Sequence, residues 1–244
     1  MNRIPLRAKV IRYVCEQGLV SVEDVHSHFQ GQRSIDTFRV MMYQIGLTRL
    51  KYNKAKHGVW CVQEPRLLDC VHRYFPELPR FLIREKSYYQ IAHCLGLNLI
   101  RRNYEQTDKL KIVDWWSEEL IRALPAKRRQ DIDLRWCPDA VFWRLRKGKV
   151  AQKVFIEYER TYKNIRRYSM ILGAYEKRKD IAPKSVLYIC ENEKVLKPLV
   201  RAYQKLLERG QLRKDDLFQF TTIKDINNIR IHSQSKGGSQ NENY

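Results

Sequence analysis

The chain is short of acid. It carries 27 Asp and Glu against 47 Lys and Arg over 244 residues, a formal net charge of +20. An ordinary metabolic enzyme has no use for such an imbalance, whereas a protein that neutralises phosphates does. Long apolar runs are also missing. None reaches the ~20 residues needed to cross a bilayer, so no membrane insertion is expected. The first residues, MNRIPLRAKVIRYVCEQG, scatter basic side chains where a secretory leader needs an apolar core. Paired cysteines are absent: Cys15, Cys61, Cys70, Cys94, Cys137 and Cys190 form no C-x-x-C motif and have no His at zinc-ligand spacing. Reduced, mostly buried thiols in a cytoplasmic protein are expected. No internal repeat is visible. Hydrophobic residues nevertheless make up 43% and aromatics 11% of the chain, far above a disordered basic tail.

Residues 1–63 read as one unit. Leu6, Val10, Ile11 and Val14 recur at helical spacing and Gly18 follows as a stop. Ser21-Val-Glu-Asp24 is a capping-box variant that opens a second helix, with Val22, Val25 and Phe29 inward. A third helix starts near Ser34, buries Ile35, Phe38, Met42 and Ile45, and ends at Gly46. LTRLKY (47–52), a basic turn and VWCV (59–62) follow as a hairpin. Three helices and a hairpin are the order of a winged helix-turn-helix. Between residues 31 and 60, Arg33, Arg39, Arg49, Lys51, Lys54 and Lys56 stand against Asp36 alone. In that geometry the third helix enters the major groove and the hairpin tip meets phosphate. A small helical subdomain with a solvated basic face is the competing reading.

Residues 64–86, with Pro65, Pro76 and Pro79, read as a connector holding one short helix. A second unit spans 87–230. It opens on an amphipathic helix over 87–105, with Gly96 inside it. A strand follows at 111–116, then a short helical segment at 117–124 and a polar loop at 126–133. PDAVFWRL (138–145) and KVFIEYE (153–159) form a second hairpin. A helix over 161–180, a strand at 185–190, a helix over 195–210 and a strand at 217–223 complete the unit. Pro198 is placed in the first turn of its helix, where proline is tolerated. Residues 231–244 are a polar tail, expected to be disordered. The fold class is α/β.

The second hairpin carries the chemistry. Asp139 opens one strand, and Glu157 and Glu159 close the next. Residues two apart on a strand point the same way, so both glutamates share a face with Phe155, opposite Val154, Ile156 and Tyr158. A three-residue turn with a left-handed Gly148 would pair Asp139 with Phe155 and set it beside Glu157. Three carboxylates at one sheet end repel each other, by ~1 kcal/mol at ~4 Å in water and several times that in less polar surroundings. A divalent cation with oxygen ligands offsets that. So do local cations: Arg160, Lys163, Arg166 and Arg167 follow at once, and Glu159 with Lys163 has i,i+4 spacing. From Arg144 to Asp180, twelve Lys or Arg accompany four Asp or Glu. An acidic cluster inside a basic field suits a ligand rich in phosphate.

P-D-A-V-F (138–142), F-I-E-Y-E-R (155–160) and the following helix with Lys163 and Tyr168 resemble the replication-relaxation proteins. IAHCLGLNLI (91–100) resembles the His-x-Leu-x-x-Asn helix of that family. The length and the E-Y-E-R motif are most similar to the MobC-type relaxases of mobilisable plasmids. The resemblance covers roughly residues 5–225. It implies a restriction-endonuclease-like PD-(D/E)xK core behind the winged helix. It also implies Mg²⁺- or Mn²⁺-dependent nicking of one strand of supercoiled plasmid DNA at an origin of transfer. The implied partners are that double-stranded DNA, a type IV coupling protein and other relaxosome proteins. By position, Asp139 and Glu157 match the two metal-binding acids. Glu159 stands where the family's core has lysine. Lys163 or Arg160 would then supply the positive charge, and Glu159 would be a third acid or general base. Glu119 is an additional, weaker acid candidate.

The candidate site is therefore Asp139, Glu157, Glu159 and Lys163. DNA contacts are expected from Arg33, Arg39, Lys51, Lys54, Lys56, Arg160, Arg166 and Arg167. A covalent tyrosine mechanism has Tyr162, Tyr168 and Tyr175 as candidates, but the chain lacks the paired-His metal motif that accompanies it elsewhere. His26 and His28 lie in the first unit, and His93 reads as a lone packed helical histidine. A non-catalytic DNA-binding accessory protein or regulator on the same scaffold is the alternative from another class, and a general nucleic-acid chaperone is a third.

Overall fold

The computed structural model describes residues 4–29, 32–80, 86–106, 111–129, 132, 134–146, 149–178, 185–212 and 216–226. The tail expected at 231–244 and the turn at Lys147-Gly148 lie outside them. The chain is a mixed α/β protein with two sheets among the described residues.

The first unit runs α1 (Leu6–Gln17), β1 (Val20–Ser21), α2 (Val22–His28), α3 (Ile35–Ile45), β2 (Thr48–Leu50) and β3 (Val59–Cys61). Its sheet has the order β1-β3-β2, all antiparallel. Local chemistry sets the boundaries. Ser21 caps α2 through a capping box with Asp24, and the Ser34 hydroxyl accepts the Thr37 N–H at the start of α3. Gly46 ends α3 in the left-handed conformation, at φ 91°. Val10, Val14, Val25, Phe38, Met42 and Trp60 fill the core between the helices and the sheet. The connector folds as α4 (Pro65–Tyr74), whose Leu67, Leu68 and Val71 complete that core.

The second unit runs α5 (Tyr88–Glu105), β4 (Lys111–Ser117), α6 (Glu118–Ala123), α7 (Ala126–Arg129), a 3-10 turn (Leu134–Trp136), β5 (Ala140–Arg146), β6 (Lys149–Glu159), α8 (Ile165–Glu176), β7 (Val186–Cys190), α9 (Glu193–Glu208) and β8 (Phe218–Thr222). The sheet order is β4-β5-β6-β7-β8. The first three strands are antiparallel, and β6-β7 and β7-β8 are parallel. The parallel strands need crossover helices, and α8 and α9 supply them. These helices pack on one sheet face through Tyr168, Leu172, Leu199 and Leu206, against Val141, Phe155 and Tyr188. On the other face α5 packs Leu97, Ile100 and Tyr104 against Phe142, Ile156 and Tyr158.

Four local expectations change. The segment 126–133 begins as a short helix rather than a loop. The helix after β6 starts at Ile165, capped by Asn164, and not at residue 161. Helix α9 starts at Glu193, so Pro198 lies inside it, past the first turn. The β5–β6 register pairs Ala140 with Ile156 and Val141 with Phe155, with an irregularity between Arg144 and Arg146. One step further out, Asp139 lies opposite Glu157 rather than Phe155. The Asp139 carboxylate turns to the Tyr158 N–H and to His93, which α5 carries on the sheet face opposite Glu157 and Glu159.

The two units meet on α5. Arg101 is buried and donates to Glu16 of α1 at 3.1 Å and to Glu105 at 2.6 Å, with its guanidinium over the Tyr13 ring. Asn98 donates to the Leu19 carbonyl at 2.8 Å and to Asp24 at 3.1 Å. A buried ion network of this kind fixes an orientation, since every charge must meet its partner.

Candidate functional site

Strand β6 delivers two carboxylates to its C-terminal end, and the residue before β5 delivers the third. Alternation puts Val154, Ile156 and Tyr158 into the core under α5, and Phe155, Glu157 and Glu159 toward α8. Pro138-Asp139 precedes β5, where the Asp139 carbonyl accepts the Glu118 N–H at 3.0 Å. The Asp139 carboxylate accepts the Tyr158 N–H at 2.7 Å and pairs with His93 Nε2 at 3.2 Å. Glu157 is buried and accepts the Tyr175 hydroxyl proton. Glu159 is buried and paired with Lys163 Nζ. That pair crosses the loop before α8 rather than a helical turn.

The electrostatics record crowding. Burial pushes the Glu157 carboxyl well above the usual carboxylate range, and the Asp139 charge raises it further. The Tyr175 hydroxyl and Lys163 oppose that shift, and Glu159 adds to it. Burial also raises the Glu159 carboxyl, against the pull of Lys163. At His93 burial works against the charged ring. The hydrogen bond and charge of Asp139, with Glu118, outweigh it, so its pKa is raised.

The four candidate residues, Asp139, Glu157, Glu159 and Lys163, lie at one end of the sheet, with Glu159 and Lys163 in contact, Asp139 held by His93 and the Tyr158 N–H, and Glu157 held by Tyr175. Arg160 folds back toward the protein: it lies 3.6 Å from Glu191, stacks over Tyr89 and donates to the Tyr89 carbonyl. Arg166 and Arg167 are exposed on the first turn of α8. Arg33, Lys51, Lys54 and Lys56 are exposed, as is Arg39, which pairs with Asp36 at 3.3 Å. Beside Arg39 on α3, Val40 and Tyr43 are open to solvent, Tyr43 at 77%. The first turn of α5 bridges the two basic regions. Tyr88 packs on Tyr52 after β2 with ring centroids 4.6 Å apart, and Tyr89 lies under Arg160.

Of the tyrosines, Tyr168 and Tyr175 are buried and Tyr162 is about half exposed. Tyr168 accepts the Lys163 N–H at 3.1 Å, and Tyr175 supports Glu157 from below. Sequence reasoning gave His93 too little weight. Its only signal was its place in the His-x-Leu-x-x-Asn pattern, and the two marked residues do different things. His93 holds Asp139, and Asn98 ties α5 to the first unit. Glu119 is paired with Lys86. The six cysteines are free thiols. Cys15, Cys61, Cys94 and Cys190 are buried, Cys137 is half-buried and Cys70 is exposed.

Among the described residues no group of three or more His, Cys, Asp or Glu is arranged to hold a metal ion. Asp139 and Glu157 nevertheless suit a hard divalent cation. They are oxygen donors at the same end of the sheet, where the Asp139 charge raises the Glu157 carboxyl, and a cation would offset that effect. Mg²⁺ takes one or two carboxylates and completes its shell with water and phosphate. Glu159 is committed to Lys163 instead.

No helix among the described residues is long and apolar enough to cross a membrane. Compared with protein-family models, with curated proteins and with solved structures, the chain matches none.

Proposed function

We propose that the chain is a DNA endonuclease of the plasmid-mobilisation relaxase kind, nicking one strand of supercoiled DNA at an origin of transfer. On this reading the first unit is a winged helix-turn-helix and the second a restriction-endonuclease-like PD-(D/E)xK core. Helix order and the β1-β3-β2 sheet support the first assignment. The second is supported by α5, three antiparallel strands β4–β6, with α6, α7 and a 3-10 turn between the first two, then α8 and a parallel strand. The observation that carries the proposal is the gathering of Asp139, Glu157 and the Glu159–Lys163 pair at one end of the sheet, with Asp139 held by the Tyr158 N–H and His93, in a strongly basic chain.

Asp139 and Glu157 would hold Mg²⁺ or Mn²⁺, which supplies charge neutralisation at the phosphodiester when bound. The chain's own residues do the rest. His93 and the Tyr158 N–H fix the Asp139 carboxylate from two directions. Tyr175 fixes Glu157. Lys163 lies where an ammonium can meet charge developing on the phosphoryl oxygens, and Glu159 holds it there. Arg166 and Arg167 extend the positive surface toward incoming phosphate. Exposed Arg39, Val40 and Tyr43 on α3 suit base-edge contacts, and Lys54 and Lys56 on the β2–β3 loop suit backbone contacts. Double-stranded plasmid DNA, a type IV coupling protein and other relaxosome proteins are the partners this reading implies, in the cytoplasm.

A specific observation favours a second reading. Lys163 is tied up by Glu159, and only two acids remain for a cation. A DNA-binding accessory protein on the same scaffold would look like this. Incubating the protein with supercoiled DNA carrying a cognate origin, with Mg²⁺ or with EDTA, separates the two. The endonuclease reading expects open circles with Mg²⁺ only. Binding without any open circles in either buffer would leave the accessory reading.

A further inference from the structure

A groove of about 480 Å³ lies between the 3-10 turn and α8, lined by Arg135, Trp136, Met170, Tyr175, Lys177 and Arg178. Three of these side chains are cationic, and no described residue lining the groove is acidic. The Arg178 guanidinium lies 4.7 Å from the Phe155 ring and 5.9 Å from the Tyr175 ring. Met170 is half exposed, and Trp136 contributes a half-buried indole. Gly173 forms part of the wall, and a Cβ added there would meet nothing within 4 Å. The groove adjoins the acidic site. Tyr175 lines it and also donates to Glu157, and the 3-10 turn ends three residues before Asp139.

We propose that this groove is a subsite for an unpaired segment of the DNA strand next to the reacting phosphate. The inference rests on the nucleic-acid reading above and adds a single-strand contact to it. The size matches one or two nucleotides, within the usual range for small-ligand clefts. An aromatic and a thioether supply apolar area for a base, and Lys177, exposed at the rim, supplies charge for a flanking phosphate. That pairing of stacking surface and cations is how single strands are held. A duplex keeps its bases stacked inside, so it offers Trp136 nothing.

Gly173→Leu tests this cleanly. It fills the groove from an open position, and leucine is a better helix former than glycine, so α8 is retained. Lys177→Glu inverts one charge at the rim. Fluorescence anisotropy is read with a labelled oligothymidylate of about 12 nucleotides, within the span of single-strand sites, and with a hairpin duplex. For Gly173→Leu the account expects single-strand affinity to fall about tenfold, the loss of one stacked base, with duplex affinity unchanged. Lys177→Glu weakens the same complex. Unchanged oligothymidylate binding by Gly173→Leu would overturn the subsite. So would a wild-type protein that binds duplex but not oligothymidylate. A wild-type protein that binds neither removes the nucleic-acid reading itself, and the duplex arm makes that failure distinct.

Discussion

Gly96→Ala and Gly173→Ala are the same substitution in two helices, and the structure expects opposite signs. In an open helix interior, alanine is better than glycine by ~1 kcal/mol. At Gly173 in α8 the new methyl meets no atom within 4 Å, so that gain should appear as stabilisation of ~1 kcal/mol. At Gly96 in α5 the methyl would sit 2.5 Å from Cζ and 2.7 Å from Oη of Tyr158, well inside van der Waals contact. Tyr158 has little freedom to yield. Its ring is buried, its hydroxyl donates to Glu191, and His93 lies 5.3 Å away centroid to centroid. Overpacking of this kind costs ~1–3 kcal/mol. Set against the propensity gain, Gly96→Ala is neutral at best and destabilising by up to ~2 kcal/mol. The gap between the two variants is the overpacking cost itself, ~1–3 kcal/mol. Urea unfolding of both proteins measures it, provided the slopes match. The penalty should largely vanish in a Tyr158→Ala background, because the two sites are in contact. A Gly96→Ala protein that gains as much stability as Gly173→Ala would refute the close packing of α5 on β6. Because the Tyr158 N–H also holds Asp139, Gly96→Ala should lower nicking more than stability alone explains.

Arg101→Met leaves Glu16 and Glu105 without their buried cation and should cost ~3–5 kcal/mol by urea unfolding; adding Glu16→Gln should recover part of it. Burial works against the charged Glu105 carboxyl, but His28 and Arg101 hold its pKa below the usual value of 4.5. A carboxyl lowered on folding contributes stability above its unfolded pKa and loses it as pH falls through the lowered folded value. Thermal melts should therefore show Glu105→Gln destabilised at neutral pH, with the difference from wild type fading in acid below 4.5. A constant difference would contradict the assignment. His93→Ala should cut nicking by about 10- to 100-fold with duplex affinity retained, since it removes a group that orients Asp139, and His93→Gln should restore part of the rate.

Much of the local structure was written in short-range chemistry. Ser34 and Gly46 bracket α3, Ser87 and Gln90 form a capping box at α5, and the alternation of β6 put Glu157 and Glu159 on the expected face. These features depend on a few adjacent residues, so a single sequence displays them. The β5–β6 register was less legible, because it turns on an irregularity near the end of the hairpin rather than on side-chain pattern. His93 reads as a packed residue until the fold brings α5 beside Asp139, 46 positions away in the chain. The Lys163–Glu159 pair had helical spacing but forms across a loop, a case where spacing suggested the contact for a different reason. Arg101, Glu16 and Asn98 were invisible as a network, since their meeting depends on how two units dock.

The central claim is that Asp139 and Glu157 act together on a phosphodiester. Asp139→Asn and Glu157→Gln keep side-chain size and replace an ionisable carboxyl with a neutral amide in each. The decisive measurement is the rate at which each converts supercoiled origin DNA to open circles, with duplex affinity taken on the same preparations. The account predicts wild-type affinity with nicking lost in both; either variant nicking at the wild-type rate would contradict it.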